Sequence, residues 1–271
     1  MKKDVVSLLF WGAPFLFGFS VVHAQVSVPP SLVSTIPQIV DGGPWVTTMA
    51  LTNTSANATE VTLNFYQETG GGVTQPWLLD FVEVTSTQPQ AVSLPAGSTL
   101  FLHTLGTAAA TTVGWGQISW SPTTLPSVID AYAIFTQRIP GRPDEEGTAE
   151  AIPVASRFLV PFDNTNGAVT SIAIANLSTD NNSISVGIRT RVSTTQPAAI
   201  TLPPLGHTSF AFPTQFPGTA GQTGLAEFYG SSGAISIIGL RFNSGAFTTA
   251  PVYSVTGAPI IIGSTLVQDS F

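Results

Sequence analysis

The chain has 271 residues, of which 8% are charged and 43% hydrophobic. A sequence this apolar is excluded from the disordered class, and its Val, Ile, Thr, Phe, Gly and Pro favour short strands joined by turns. With no cysteine, a disulfide framework and a lipid anchor on an N-terminal cysteine are excluded too, so packed cores must hold the fold.

The N-terminus carries Lys2 and Lys3, an apolar run of 18 residues from Val5 to Val22, and Ala24. This predicts a secretory signal peptide over residues 1–24, cut before Gln25, and an extracellular or periplasmic destination. An uncleaved anchor is the alternative, since the run reaches the lower edge of a membrane span. Gly12, Ala13, Pro14 and Gly18 break it up and favour cleavage. Both lysines leave with the leader, and six arginines remain against 14 acidic residues, a net charge near −8. Such a surface argues against nucleic acid or anionic membrane as a partner after cleavage, because each requires a basic patch.

After a lead over residues 25–35, the stretch Val46–Tyr66 (VTTMALTNTSANATEVTLNFY) has a gapless second copy, VTSIAIANLSTDNNSISVGIR, 123 residues further on. The period of two puts Thr47, Met49 and Leu51 on one face, and Thr170, Ile172 and Ile174 on the matching face of the copy. Beyond a polar turn, Val61, Leu63 and Phe65 share a face, as do Ile184, Val186 and Ile188. Downstream, STQPQAVSLP matches TTQPAAITLP at an offset of 108, which leaves unit one with 15 extra residues within about 67–82. Gly70–Gly72 predict the tip of a lengthened hairpin there. Further matches align Gly97 with Gly206, GWGQIS with GLAEFY and IDAYAI with ISIIGL, and place His207 opposite Ser98. Two units follow, residues 36–156 and 157–256, with a tail over 257–271 and no Gly/Ser linker between them. Turn signals about every ten residues predict two tandem antiparallel β-sandwiches from an internal duplication, an all-β chain.

The strand-ending Asn and the later LP step, LTNTS with LPAG and IANLS with LPPLG, resemble the Ig-like β-sandwich modules of secreted bacterial proteins, many of them uncharacterised. The resemblance covers most of residues 36–254 and implies an Ig-like fold, an extracellular setting and, in some such modules, adhesion. It brings no catalytic residues with it.

Outside the leader the chain has two histidines, His103 and His207, in non-equivalent places, and it lacks HExxH, GxSxG and phosphate-loop motifs. No catalytic residue and no cofactor is expected. Asp41 in VDGG and Asp163 in FDNTNG are weak metal candidates, with a structural Asx-turn or cap as the alternative. Arg138 and Arg142 with Asp144, Glu145, Glu146 and Glu150 form a charged loop, read as solvated rather than as a glycosidase pair. The four tryptophans beyond the leader, Trp45, Trp77, Trp115 and Trp120, all lie in unit one. Trp77, Phe81, Trp115 and Trp120 are the candidate ligand-binding residues, because exposed rings would stack on sugars or anchor a protein; capping of the core is the alternative for each. Four Asn-x-Ser/Thr sequons, at Asn53, Asn57, Asn176 and Asn181, read as turn chemistry rather than modification sites. The expected function is a secreted, non-catalytic, structural or adhesion protein meeting a protein or glycan at the cell surface. A carbohydrate-binding module is the second reading and a hydrolase or its accessory the third.

Overall fold

A computed structural model describes residues 32–121, 129–152, 154–257 and 259–262. The leader and the ends of the lead and tail lie outside the described residues. The described chain is nearly all β, with one four-residue helix, α1 (Phe212–Gln215), and a 3-10 turn over Pro217–Thr219 in unit two. Unit one contains β1 (Leu32–Asp41), β2 (Trp45–Asn53), β3 (Thr59–Gly70), β4 (Val73–Pro76), β5 (Gln90–Leu94), β6 (Thr99–His103), β7 (Thr112–Trp120), β8 (Ile129–Gln137) and β9 (Glu145–Glu150). Unit two contains β10 (Arg157–Asp163), β11 (Ala168–Asn176), β12 (Asn182–Thr190), β13 (Thr194–Thr195), β14 (Ile200–Leu202), β15 (His207–Ala211), β16 (Thr223–Gly230), β17 (Ile235–Asn243), β18 (Ala246–Ala250) and β19 (Tyr253–Ser254).

One pairing scheme occurs twice, antiparallel throughout. In unit one, β1-β7-β3-β4 with β5 on β3 forms one sheet and β6-β2-β8-β9 the other. In unit two, β19-β10-β16-β12-β13 with β14 on β12 matches the first, and β15-β11-β17-β18 the second. The period-two faces hold: Met49, Leu51, Val61, Leu63 and Phe65 are buried in the first core, and Ile172, Ile174, Ile184, Val186 and Ile188 in the second.

Register corrects the alignment after the LP step. Thr52 pairs with Thr99 and its counterpart Ala175 pairs with His207. The equivalents are therefore Thr99 with His207 and Gly97 with Leu205, one residue away from the sequence match of Gly97 with Gly206. Both Gly97 (φ +63°) and Leu205 (φ +55°) are left-handed, so the conformation has been kept where the glycine has not.

The repeated Asn explains why the two motif halves travel together. The amide of Asn53, wholly buried, donates to the carbonyls of Asn57, Leu94 and Pro95 at 2.7, 3.0 and 3.2 Å, and its Oδ1 accepts the Ser55 N–H and hydroxyl. Asn176 repeats this on Asp180, Leu202 and Pro203, and its Oδ1 accepts the Ser178 N–H and the Asn182 amide. Each Asn thus closes its own turn and bolts it to the LP step. Removing it strands buried carbonyls, a cost of on the order of 3 kcal/mol. Urea unfolding of Asn53→Ala and Asn176→Ala is expected to show that loss, whereas Asn181→Ala, at an exposed position, stays within about 0.5 kcal/mol. Equal stability of all three variants would remove the bolt from this account.

Candidate functional site

The candidate aromatic residues do not form an exposed platform. Trp77 is 9% exposed, Phe81 5%, Trp115 0% and Trp120 8%. The extension is a hairpin, as its glycines predict, with β4 returning along β3. Past β4 the chain folds back over the open end of unit one: the Trp77 N–H donates to the Phe65 carbonyl at 2.8 Å, and the Phe81 ring lies 5.6 Å from that of Phe65. Trp77, Leu79 and Phe81 become core. These rings fill a gap that a shorter turn would leave open, which is the physical reason they are buried.

The hairpin tip instead grips unit two. Gly72 accepts the His207 N–H at 3.0 Å, and the Thr74 hydroxyl donates to the Leu205 carbonyl at 2.8 Å. Trp115, stacked on Tyr66 at 4.5 Å, donates its Nε1–H to the same carbonyl at 2.9 Å. The His207 ring is fully buried, with Nδ1 2.9 Å from Glu68 Oε2 and Nε2 3.1 Å from both the Pro37 carbonyl and Gln38 Oε1. All three partners are acceptors as placed, so both ring nitrogens point where a donor is wanted.

Beside this lies an apolar seam. Ala173, Ile238 and Phe247 of unit two belong to the core cluster of unit one, with Leu240 and Phe242 packed against it. Trp45 meets Phe247 edge-on at 5.4 Å, and the Thr249 hydroxyl donates to the Thr148 carbonyl. The sheet β15-β11-β17-β18 is therefore buried on both faces along part of its width. The run Ile235–Leu240, ISIIGL, carries that signal, because a strand buried on both sides loses its alternation.

The two aspartates take hydrogen bonds from within the chain. Gly106 donates to Asp41 Oδ1 at 3.1 Å, and burial raises the Asp41 carboxyl above its ordinary range against the pull of Thr104 and Gly106. Asp163 forms an Asx-turn: Oδ1 accepts the Thr165 hydroxyl at 2.6 Å and N–H at 3.0 Å, and Oδ2 accepts Arg241 Nη2 at 2.9 Å. The Thr165 hydroxyl and then the Arg241 guanidinium hold its carboxyl down at about 2. Among the described residues no three His, Cys, Asp or Glu side chains converge as metal ligands. His103 pairs with Glu83 at 2.5 Å on the surface, away from His207. In the charged loop, Arg142 Nη2 donates to Glu145 at 2.5 Å and Arg138 lies 3.7 Å from Asp144, mostly in solvent.

One site went unread in the sequence. Glu227 projects from the outer face of the sheet β19-β10-β16-β12-β13, in register with Leu159 on one side and Gly187 on the other. Its side chain is completely buried. The tail lies across it: Oε2 accepts the N–H groups of Ile261 at 2.6 Å, Ile262 at 2.9 Å and Ile260 at 3.1 Å. Ile261, fully buried, fills a hole floored by Gly187, where a Cβ would come within 2.9 Å of Ile261 Cγ2. Arg157 Nε lies 3.5 Å from Glu227 Oε1, with the guanidinium 5.5 Å from the centre of the Tyr229 ring. Arg157 Nε and Nη1 are buried and donate no hydrogen bond among the described residues. The available signal was Gly187, an isolated glycine inside a strand, which marks a close approach by another backbone. Glu227 itself, flanked by Ala226 and Phe228, reads as an ordinary solvent-facing charge.

No protein-family model matches the chain, and no curated protein matches it.

Three measurements check these placements. Trp77→Ala is expected to cost about 3–5 kcal/mol in urea unfolding, and deleting residues 70–80 to lower the melting temperature markedly; unchanged melting would mean the extension is an independent appendage. For Asp163, a folded-state carboxyl below the unfolded value gives a contribution present above the unfolded pKa and lost as pH falls through the folded one. NMR titration should therefore find Asp163 ionised down to about pH 2, with an upward shift in Arg241→Ala; a midpoint in the ordinary range would refute the Asx-turn and ion pair in solution.

Proposed function

We propose that the chain is a secreted, non-catalytic protein with a structural, surface or adhesion role, built from two Ig-like sandwiches that arose by internal duplication. The observation that carries this reading is the Glu227 face. A buried carboxylate taking three successive backbone N–H groups, beside a hole for one aliphatic side chain, is chemistry for holding polypeptide. Two further features support it. The seam joins the units through ring packing and the His207 cluster, which suits a stiff spacer better than a hinged enzyme. The basic start and apolar run of the leader suit export. Sugar stacking on Trp77, Trp115 or Trp120 is not part of the proposal, since those rings are buried.

Expression of the full-length chain with its own leader tests this. The expected product is exported, begins at Gln25 by intact mass, and turns over none of a panel of glycoside, ester and peptide substrates. Retention inside the cell with an uncut leader would overturn the secreted assignment. Turnover that disappears in His103→Ala or Glu83→Gln would overturn the non-catalytic one.

A further inference from the structure

We infer that the Glu227 face is an interface between copies of this chain: the segment Ile260–Ile262 of one copy seats on the face of another in place of that copy's own. The inference rests on the reading of the face as a polypeptide-holding site. Three observations point to a second copy as the occupant.

The first is the recognition chemistry. The carboxylate reads backbone N–H groups and the Gly187 floor reads one branched side chain. Any copy of this chain supplies an identical segment, so an exchange loses no contact, which makes swapping an inexpensive route to association. The second is the connector. After β19, the Val255 N–H bonds the Arg157 carbonyl at 3.1 Å, but Thr256, Gly257, Pro259 and Ile260 are exposed, and Gly257 sits at φ +97°. A short, glycine-containing connector, exposed at its described residues, can redirect the tail while the rest of unit two stays as it is.

The third is the contrast with unit one. The positions equivalent to Glu227 and Gly187 are Gln117 and Asn64, which pair with each other in the same register. A neutral amide in place of the carboxylate and a side chain in place of the glycine remove both recognition elements. The face is thus an addition to the shared scaffold, confined to the unit whose own tail follows it. Within one copy the tail is favoured by its tether; between copies, local concentration decides. A protein arrayed on a surface is the setting in which exchange would win.

Two full-length variants test this. Ile261→Asp disables the tail and keeps the face; Gly187→Leu blocks the face and keeps the tail. Circular dichroism first establishes that each keeps its strand spectrum. Each alone should be monomeric by light scattering, and their mixture should give a 1:1 heterodimer of twice the mass. A synthetic peptide of residues 255–262 should bind the Ile261→Asp protein, and methylation of the Ile261 nitrogen should weaken it about tenfold or more. Peptide binding without heterodimer would overturn exchange between copies and leave the polypeptide-holding face standing. Loss of both would overturn the two together. Should either variant misfold, the wild-type chain decides: its dimer fraction should rise with concentration, and a strictly monomeric chain overturns the inference.

Discussion

The side-chain amide of a buried asparagine at the end of the second strand of each unit is the constraint on which the rest of the molecule depends. Asn53 and Asn176 each tie a polar turn to an LP step more than twenty-five residues away, joining the edge of one sheet to the start of the other. Neutral hydrogen bonds are individually modest, but here several converge on groups that water cannot reach, and the cost of leaving those groups unmade is larger than the gain from making them. The bolt in unit two has a second consequence. It fixes Leu205 in a left-handed conformation that costs a non-glycine residue roughly 1–2 kcal/mol, and the carbonyl presented there is the one that Trp115 and Thr74 engage. Unit one has Gly97 at the equivalent position, without a partner unit to hold.

The fold was legible because its signal is periodic. Alternation assigned the inward faces of β2, β3, β11 and β12 residue by residue, and the repeat made each unit a check on the other. What escaped was whatever depended on contacts that the period of two does not encode. Trp115 lies on the outward side of β7, where alternation predicts exposure, and Tyr66 together with the LP step of unit two covers it. Trp77 and Phe81 sit in an insertion with no counterpart, so the comparison that located the insertion had nothing to say about where its rings would go. The one-residue slip at Gly97 arose because glycine was matched to glycine, whereas the backbone conserved its left-handed turn and put Leu205 in it. Glu227 was invisible for a related reason: a charge on an outward strand position is ordinary until something covers it, and the covering segment has no periodicity of its own.

The outer faces of the two equivalent sheets now look like one device with two chemistries. In unit one the face carries Trp115, an N–H donor, and it holds a carbonyl of the LP step of unit two. In unit two the face carries Glu227, an acceptor, and it holds the N–H groups of the tail. Each unit thereby captures a segment that lies downstream of it in the chain. Because one face offers a donor and the other an acceptor, the two engage different atoms of the segments they hold: the Leu205 oxygen in one case and the nitrogens of Ile260–Ile262 in the other. Polarity sets which atoms are gripped, and the hole above Gly187, filled by Ile261, sets which side chain can seat there. The same hole would select a tail arriving from another copy, because the equivalent position in unit one, Asn64, carries a side chain where unit two has glycine.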